Sequence, residues 1–243
     1  MNSKYIYSYV DYNDAVNFLL PRHYSGRAPS ISYSFGVFEK VTSRLMAVCT
    51  FGLPASPSLC VGLAGEENKN NVLELNRLCR EDDYKEPLSE FVAWCLKQLK
   101  EKNVFVVSYS DMAMHHHGYI YQACNFLYTG ATDERTDIYC GNGKHSRHYS
   151  QEDRDMGFRL KRFSKHRYVY ICAKTKHKKK EMLSQLKYPV LNKYPKGDNN
   201  ADYTLGDYIK STIIDTKNNK VIEEKNTACY SMKDNCQQTY LFF

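Results

Sequence analysis

The chain has 243 residues, 42% of them hydrophobic and 25% charged, enough to bury one substantial core. Disorder of the whole chain is excluded, no stretch approaches the roughly 18 consecutive apolar residues of a membrane helix, and Met1-Asn2-Ser3-Lys4 leads into no secretory apolar segment, so a cytoplasmic protein without membrane contact is expected. The net charge of +7 resides in one segment: residues 1–140 hold 13 Lys and Arg against 16 Asp and Glu, 141–197 hold 16 against 4, and 198–243 hold 5 against 7.

From the N-terminus, Asp14 to Leu20 reads as a short helix stopped by Pro21 and followed by the polar loop His23-Tyr24-Ser25-Gly26-Arg27. Tyr33 to Glu39 and Leu45 to Phe51 are β-like runs joined by a five-residue polar link, an antiparallel hairpin. Gly52, Pro54 and Pro57 break that strand and open a loop to about Asn71. Val72 to Cys79 reads as a strand, and Leu88, Phe91, Val92, Cys95, Leu96 and Leu99 recur at helical spacing. Val104 to Tyr109 is an apolar run fit for a central strand, a short helix follows over 118–126, and Leu127 to Gly130 starts another strand. This order predicts an α/β fold with a mixed sheet.

Beyond it, Arg159 to Phe163 and Tyr168 to Ala173 suggest a second hairpin, with a basic helix near Lys178 to Leu186 and weak β-like runs at Tyr208 to Ile214 and Tyr240 to Phe243. The domain reading is therefore 1–140 as the catalytic unit, 141–197 as a basic β-rich extension and 198–243 as an appendage. Nine cysteines, an odd number without a Cys-x-x-Cys pair, read as thiols buried as small hydrophobes. The basic segment interleaves Tyr149, Tyr168, Tyr170, Tyr188 and Tyr194 with its cations, which favours a nucleic-acid partner.

Ile120-Tyr121-Gln122-Ala123-Cys124-Asn125-Phe126 followed by Tyr128-Thr129-Gly130 resembles the closing helix and strand of the GNAT acyltransferase superfamily. A larger set of blocks is more specific: His23-Tyr24-Ser25-Gly26-Arg27, Phe35-Gly36-Val37-Phe38, Phe51-Gly52-Leu53-Pro54, Glu74-Leu75-Asn76-Arg77-Leu78, Ser89-x-Phe91-Val92, Val107-Ser108-Tyr109-Ser110-Asp111 and His116-x-Gly118-x-Ile120-Tyr121. Together, over about residues 20–130, they look like the phage Mom DNA-modification family. Ser110 stands where an Ala is expected and His115 where a Gly is expected. The resemblance implies a GNAT-like fold and an enzyme that places a carbamoylmethyl group on N6 of adenine in double-stranded phage DNA, shielding it from restriction.

Chemistry on an adenine amine needs the base out of the stack, acceptors for N6–H and a group that handles protons. Tyr24, Tyr109 and Tyr121 can stack or hydrogen-bond, Asp111 can accept from N6–H, Asn125 offers a bidentate amide, and Ser108 can polarise the reacting group. His23 and His116 suit acid/base work or metal ligation. The family resemblance adds iron held by His23, Tyr24 and Asp111.

The donor is left unassigned. GNAT enzymes hold acyl-coenzyme A on a glycine-rich turn before the central helix, where bare amides face the pyrophosphate. The corresponding stretch here, Arg80 to Leu88, has no glycine and carries Glu81, Asp82, Asp83 and Glu86. Acetyl-coenzyme A would then rely on Lys85, backbone amides and Ser89, with Arg77 either a donor-phosphate contact or the partner of a carboxylate such as Glu74 or Asp111.

For DNA phosphates the candidates are Lys144, Arg147, Arg159, Lys161, Arg162, Lys165 and Arg167, continuing into Lys174, Lys176 and Lys178 to Lys180. Two rival readings are an ordinary acetyl-coenzyme A-dependent N-acetyltransferase and a non-catalytic DNA-binding protein on the same fold. A homodimer is left open.

Overall fold

The computed structural model describes residues 4–23, 25, 28–141, 149–197 and 208–227. Alternation and helical periodicity resolve into a seven-stranded sheet, in which the first five strands lie in chain order and the ninth sits between the fifth and the sixth, and a four-stranded sheet of the eleventh, tenth, eighth and seventh strands in that order. The large sheet opens with β1 (Tyr5–Tyr9), then α1 (Tyr12–Leu19), β2 (Tyr33–Glu39) and β3 (Leu45–Gly52). Asp11 caps α1 through the Asp14 amide, three residues before the expected start. The stretch expected as loop contains α2 (Pro57–Ala64), with Pro57 at its first position and Gly65 beyond its end at φ 81°. Those two residues read as breakers, but they also mark the two ends of a helix.

β4 (Val72–Arg80) runs antiparallel to β3 and parallel to β5 (Val104–Asp111), and α3 (Leu88–Gln98) makes the crossover between them. After α4 (Tyr119–Ala123) comes β6 (Leu127–Ala131), the edge strand. β9 (Lys165–Cys172) then inserts between β5 and β6, antiparallel to both. The small sheet comprises β7 (Arg135–Tyr139), β8 (Phe158–Arg162), β10 (Tyr208–Asp215) and β11 (Lys220–Thr227), with α5 (Gln151–Asp155) between β7 and β8.

This pairing corrects two expectations. β8 and β9 form no hairpin, because they belong to different sheets. Residues 141–197 are not a separate extension either, since β9 completes the large sheet across the expected boundary at 140. The expected strand at Tyr240 to Phe243 lies outside the described residues.

Helices cover both faces of the large sheet. On one, Phe91, Val92, Cys95 and Leu96 of α3 pack with Leu73, Leu75, Val106, Tyr168 and Cys172. On the other, α2 and α6 (Lys176–Gln185) pack Leu63 and Met182 on Val72, Phe105, Val107, Val169 and Ile171, while α1 packs Phe18 and Leu19 on Val48 and Cys79. The period of two along each strand makes this division. A strap from Lys187 to Gly197 then closes the β6 edge. The Lys187 amide donates to the Leu63 carbonyl, Leu191 to that of Tyr128, and the Tyr194 hydroxyl to that of Phe126.

Candidate active site

The site lies where the parallel pair comes apart. β4 and β5 are paired only from Val72 with Phe105 to Glu74 with Val107. At the next position the Ser108 hydroxyl donates to the Leu75 carbonyl at 2.8 Å, a side chain replacing the ladder bond. Beyond it the strands diverge, and their carboxyl-terminal halves bound a cleft.

A β-bulge decides what faces this cleft. Thr50 of β3 pairs with Arg77 and Phe51 with Leu75, so Asn76 is an extra residue. Its amide is fixed on both sides, the oxygen accepting from Thr50 Oγ1 at 2.7 Å and the nitrogen donating to the Ser30 carbonyl at 2.7 Å. Before the bulge, Leu73 and Leu75 face α3 and Val72 faces α2; after it, Leu78 faces α3 and Cys79 faces α1. Arg77 is thereby brought to the same face as Glu74.

Alternation assembles the rest of that face. Tyr109 and Asp111 of β5 stand opposite Arg167 and Lys165 of β9, and these follow in step from Val169 and Ile171. Lys165 Nζ lies 3.0 Å from Asp111 Oδ2, while Asp111 Oδ1 accepts the Ala113 amide at 3.1 Å. Each oxygen thus has one partner that fixes the end of β5 and keeps a lone pair for a further donor. Arg167 donates to the hydroxyl of Thr129 at 3.0 Å and to its carbonyl at 2.9 Å, and its guanidinium lies 3.5 Å from the centre of the Tyr188 ring.

His23 reaches this face from the end of α1. Arg22 beside it is anchored by Glu81 at 2.7 Å in a largely buried ion pair. Burial, with Arg77, Lys165 and His116 nearby, holds the His23 imidazole well below its usual pKa. Nδ1 accepts the Ser25 amide at 3.1 Å, so the neutral ring carries its proton on Nε2. Burial pushes the Glu74 carboxyl up, with Arg77, Lys165 and the Ala55 amide opposing. Burial likewise raises the Tyr109 phenol, which lies near Glu74 and Arg167.

Tyr121 stands on the opposite, α3-facing side. Burial pushes its phenol up to about 12, with a hydrogen bond to Ser108 pulling back. Ser108 gives its one proton to Leu75, so it is placed to accept from Tyr121. The ring packs 5.3 Å from Phe126 and 5.4 Å from Tyr168. Close by, Ser110 is buried and its hydroxyl has no partner among the described residues.

The start of α3 is next to α4, since the Cys124 thiol donates to the Ser89 carbonyl at 3.3 Å. Its N-cap is Pro87, and no side chain caps it. The acidic turn before it is less hostile to an anion than its composition suggests. Glu81 is bound by Arg22 and Arg44, and Asp83 by Arg44 at 2.7 Å. Lys85 is exposed and folds back onto the Asp82 carbonyl.

The structure thus brings His23, Arg77, Ser108, Tyr109, Asp111, His116 and Tyr121 of the expected residues around one cleft, and adds Glu74 and Lys165, expected as an ion-pair partner and a phosphate contact. Asn125 is exposed at φ 59°, in the turn after α4. Tyr24, Lys144 and Arg147 lie outside the described residues. The expected phosphate contacts do not share a free face. Lys165 and Arg167 line the cleft, Arg159 is bonded to Thr136, Lys161 to Glu134 and Arg162 to Asp137.

An iron centre does not fit the two described members of its expected set. His23 Nδ1 faces an amide donor, which opposes the Nδ1–H tautomer an Nε2-bound metal needs, and Asp111 is held by an ammonium group. Among the described residues no three His, Cys, Asp or Glu side chains come together as a metal site.

A search of curated protein sequences returns no match. Solved structures of acetyltransferases match the chain. One from Vibrio fischeri, a ribosomal-protein-S5-alanine acetyltransferase, is 10% identical with a TM-score of 0.43, covering 72% of this chain and 96% of that one. One from Bacillus subtilis in complex with CoA is 12% identical with a TM-score of 0.38, covering 69% and 99%. A GNAT-family acetyltransferase from Bacillus anthracis is 11% identical with a TM-score of 0.35, covering 57% of this chain, which spans 65% of that protein's length. The strand order found here, with the late strand β9 between β5 and β6, is the mixed α/β arrangement expected of a GNAT-like fold. The Mom protein family model matches residues 4–196, from the first strand to the end of the strap, and the chain belongs to that family.

Proposed function

We propose that this transferase modifies the N6 amine of adenine in double-stranded DNA, adding a carbamoylmethyl-type group that protects phage DNA from restriction. One observation carries the reading: a neutral imidazole and a buried carboxylate among cations on one side of a cleft, with a high-pKa phenol on the other. A flipped adenine fits the first side, where Tyr109 gives a ring and Arg77 and Lys165 balance the phosphates that come with it. As N6 forms its new bond to carbon it must lose a proton, which the Glu74 carboxylate accepts. Asp111, fixed by Lys165 and the Ala113 amide, positions the end of β5 and presents a carboxylate to N6–H.

The donor belongs on the Tyr121 side. The uncapped amides at the start of α3, with Glu81 and Asp83 neutralised by Arg22 and Arg44, suit the pyrophosphate of an acyl-coenzyme A. Bound there, an acyl-coenzyme A would supply an activated carbonyl carbon and a thiolate leaving group and so make an amide, whereas the donor of a carbamoylmethyl group has to deliver its methylene carbon to N6. Tyr121, kept protonated by burial, is the proton source on that side. The same groove favours a second reading, N-acetylation of a smaller amine. A carbamoylmethyl amine is not the amide that simple acyl transfer leaves, so the two readings differ in product.

Expression in bacteria carrying a plasmid, followed by digestion of the plasmid to nucleosides and mass spectrometry, separates them without a choice of donor. A deoxyadenosine heavier by a carbamoylmethyl group is the expected product. Unmodified DNA alongside folded protein that consumes acetyl-coenzyme A would move the assignment to the second reading.

A further inference from the structure

At the far end of the large sheet from the cleft, a hollow of about 150 Å³ is lined by Lys100, Tyr170, Ile171, Ala173, Lys174, Thr175, Lys176 and Lys179. Four of these are lysines and none is acidic. Lys174 is paired with Glu101 at 2.8 Å, and nearby Lys178 is paired with Glu181 at 2.7 Å. Lys100, Lys176 and Lys179 have no carboxylate partner among the described residues. Lys179 lies 5.0 Å from the centre of the Tyr170 ring, and both Lys100 and Lys179 act on the thiol of Cys172, between Ile171 and Ala173, lowering its pKa against burial. The first turn of α6 contains no acid, and its Lys178 amide is already taken by the Thr175 hydroxyl. Gathering unpaired ammonium groups around one hollow costs self-repulsion, which an anion of compact, highly charged form relieves.

We propose that this hollow is a phosphate-binding site, and that the phosphate belongs to the backbone of the DNA whose adenine lies in the cleft. The inference rests on the DNA reading for the identity of its ligand. Its location gives it a measurable reach. The register of β5 with β9 runs from Val104 with Cys172, beside the hollow, to Asp111 with Lys165, in the cleft. Those seven residue steps span roughly 23 Å, the length of about seven base pairs at 3.4 Å each. α6 follows the same path, from Lys176 at the hollow to the strap whose Tyr188 packs on Arg167. A duplex lying along α6 would have its target in the cleft and a phosphate in the hollow only if it extends about seven base pairs to that side. The hollow therefore acts as a distant clamp that reads duplex length and carries no base specificity.

The test measures fluorescence-anisotropy binding of the full chain to a 30-base-pair duplex and to an 8-base-pair duplex with the adenine central, across a salt series. The variants are Lys100→Gln/Lys176→Gln/Lys179→Gln and the matching triple arginine variant. With the long duplex, the glutamine variant should bind more weakly and the log affinity against log salt slope should become shallower by about 0.9, because the one phosphate held in the hollow is no longer neutralised. With the short duplex it should match the wild type, and the arginine variant should behave as wild type on both. Equal weakening on both duplexes, or none on either, overturns the clamp. If 10 mM inorganic phosphate protects the wild type, but not the glutamine variant, against thermal unfolding while long-duplex binding is the same in both, the hollow serves a small phosphorylated ligand and the DNA assignment falls. Binding is read separately from nucleoside analysis, so a protein that binds through the hollow without modifying DNA refutes the proposed activity and leaves the clamp standing.

Discussion

Tyr121 makes a sharp demand at the level of a single hydroxyl. Its phenol sits on Ser108 and stays protonated through neutral pH, so Tyr121→Phe removes a proton source while keeping the ring between Phe126 and Tyr168. Modification, read as modified deoxyadenosine per plasmid, should fall about 100-fold, and duplex affinity should stay within about twofold. Wild-type modification by this variant would remove Tyr121 from the mechanism. Glu74 tests the opposite face through pH. Its folded pKa is raised above 4.5, so its ionisation costs stability once pH rises through the folded value. Glu74→Gln should therefore melt higher than wild type at pH 7 and show no such advantage below pH 4.5, while modification falls. His23 carries the other sign. Its imidazole is depressed below 6.5, so the neutral form contributes stability fully above 6.5, which is lost as pH falls through the folded value. Ser110 offers a check independent of activity. Its buried, unpartnered hydroxyl occupies a position where the family resemblance leads one to expect an alanine, and Ser110→Ala should stabilise by about 1 kcal/mol, or roughly 3 °C in melting temperature.

At the scale of elements, what the sequence made legible followed from pattern strength. The periodicity of Leu88 to Leu99 and the apolar run from Val104 located α3 and β5 closely, and with them Ser108 and Asp111. The acidic turn was legible too, but not its neutralisation, because Arg22 and Arg44 are far from Glu81 in sequence. Glu74 and Lys165 were weighed only as an ion-pair partner and a phosphate contact. A bulge such as that at Asn76 changes which residue faces where, and no two-residue period announces it. The β8–β9 hairpin failed for a related reason: the short Phe163-Ser164 link looks like a turn, yet β9 is apolar on both faces and belongs inside the large sheet. Gly118 shows how closely α4 is seated there. It adopts φ 75°, and a Cβ on it would lie 2.5 Å from the Tyr168 ring. Gly118→Ala should cost about 2 kcal/mol or more, measurable as a lower denaturant midpoint with unchanged slope, because both the left-handed backbone and the ring contact resist it. An unchanged midpoint would mean that α4 shifts freely.

For the whole molecule, the distribution of charge matters more than its sum. The basic segment is divided among three environments: Lys165 and Arg167 in the cleft, Arg159, Lys161 and Arg162 bonded within the small sheet, and Lys176 and Lys179 free at the start of α6. Lys165→Glu should consequently abolish modification, since it puts a second carboxylate beside Asp111, whereas Arg162→Glu should leave modification near wild type and only weaken binding, by less than about tenfold at moderate salt. Equal effects from the two would mean that the cations act as one undivided surface. No helix among the described residues is long and apolar enough to cross a membrane.

The strap from Lys187 to Gly197 has a consequence for where the chain can be cut. β6 is the outermost strand of the large sheet, and the strap lies over it with the Leu191 amide on the Tyr128 carbonyl. A protein ended at residue 186 would keep every strand of that sheet and yet bare the β6 edge, an invitation to pair with another molecule. It should precipitate or associate where a protein ended at 197 keeps this edge covered, so residues 187–197 act as an internal chaperone for the sheet that carries the cleft.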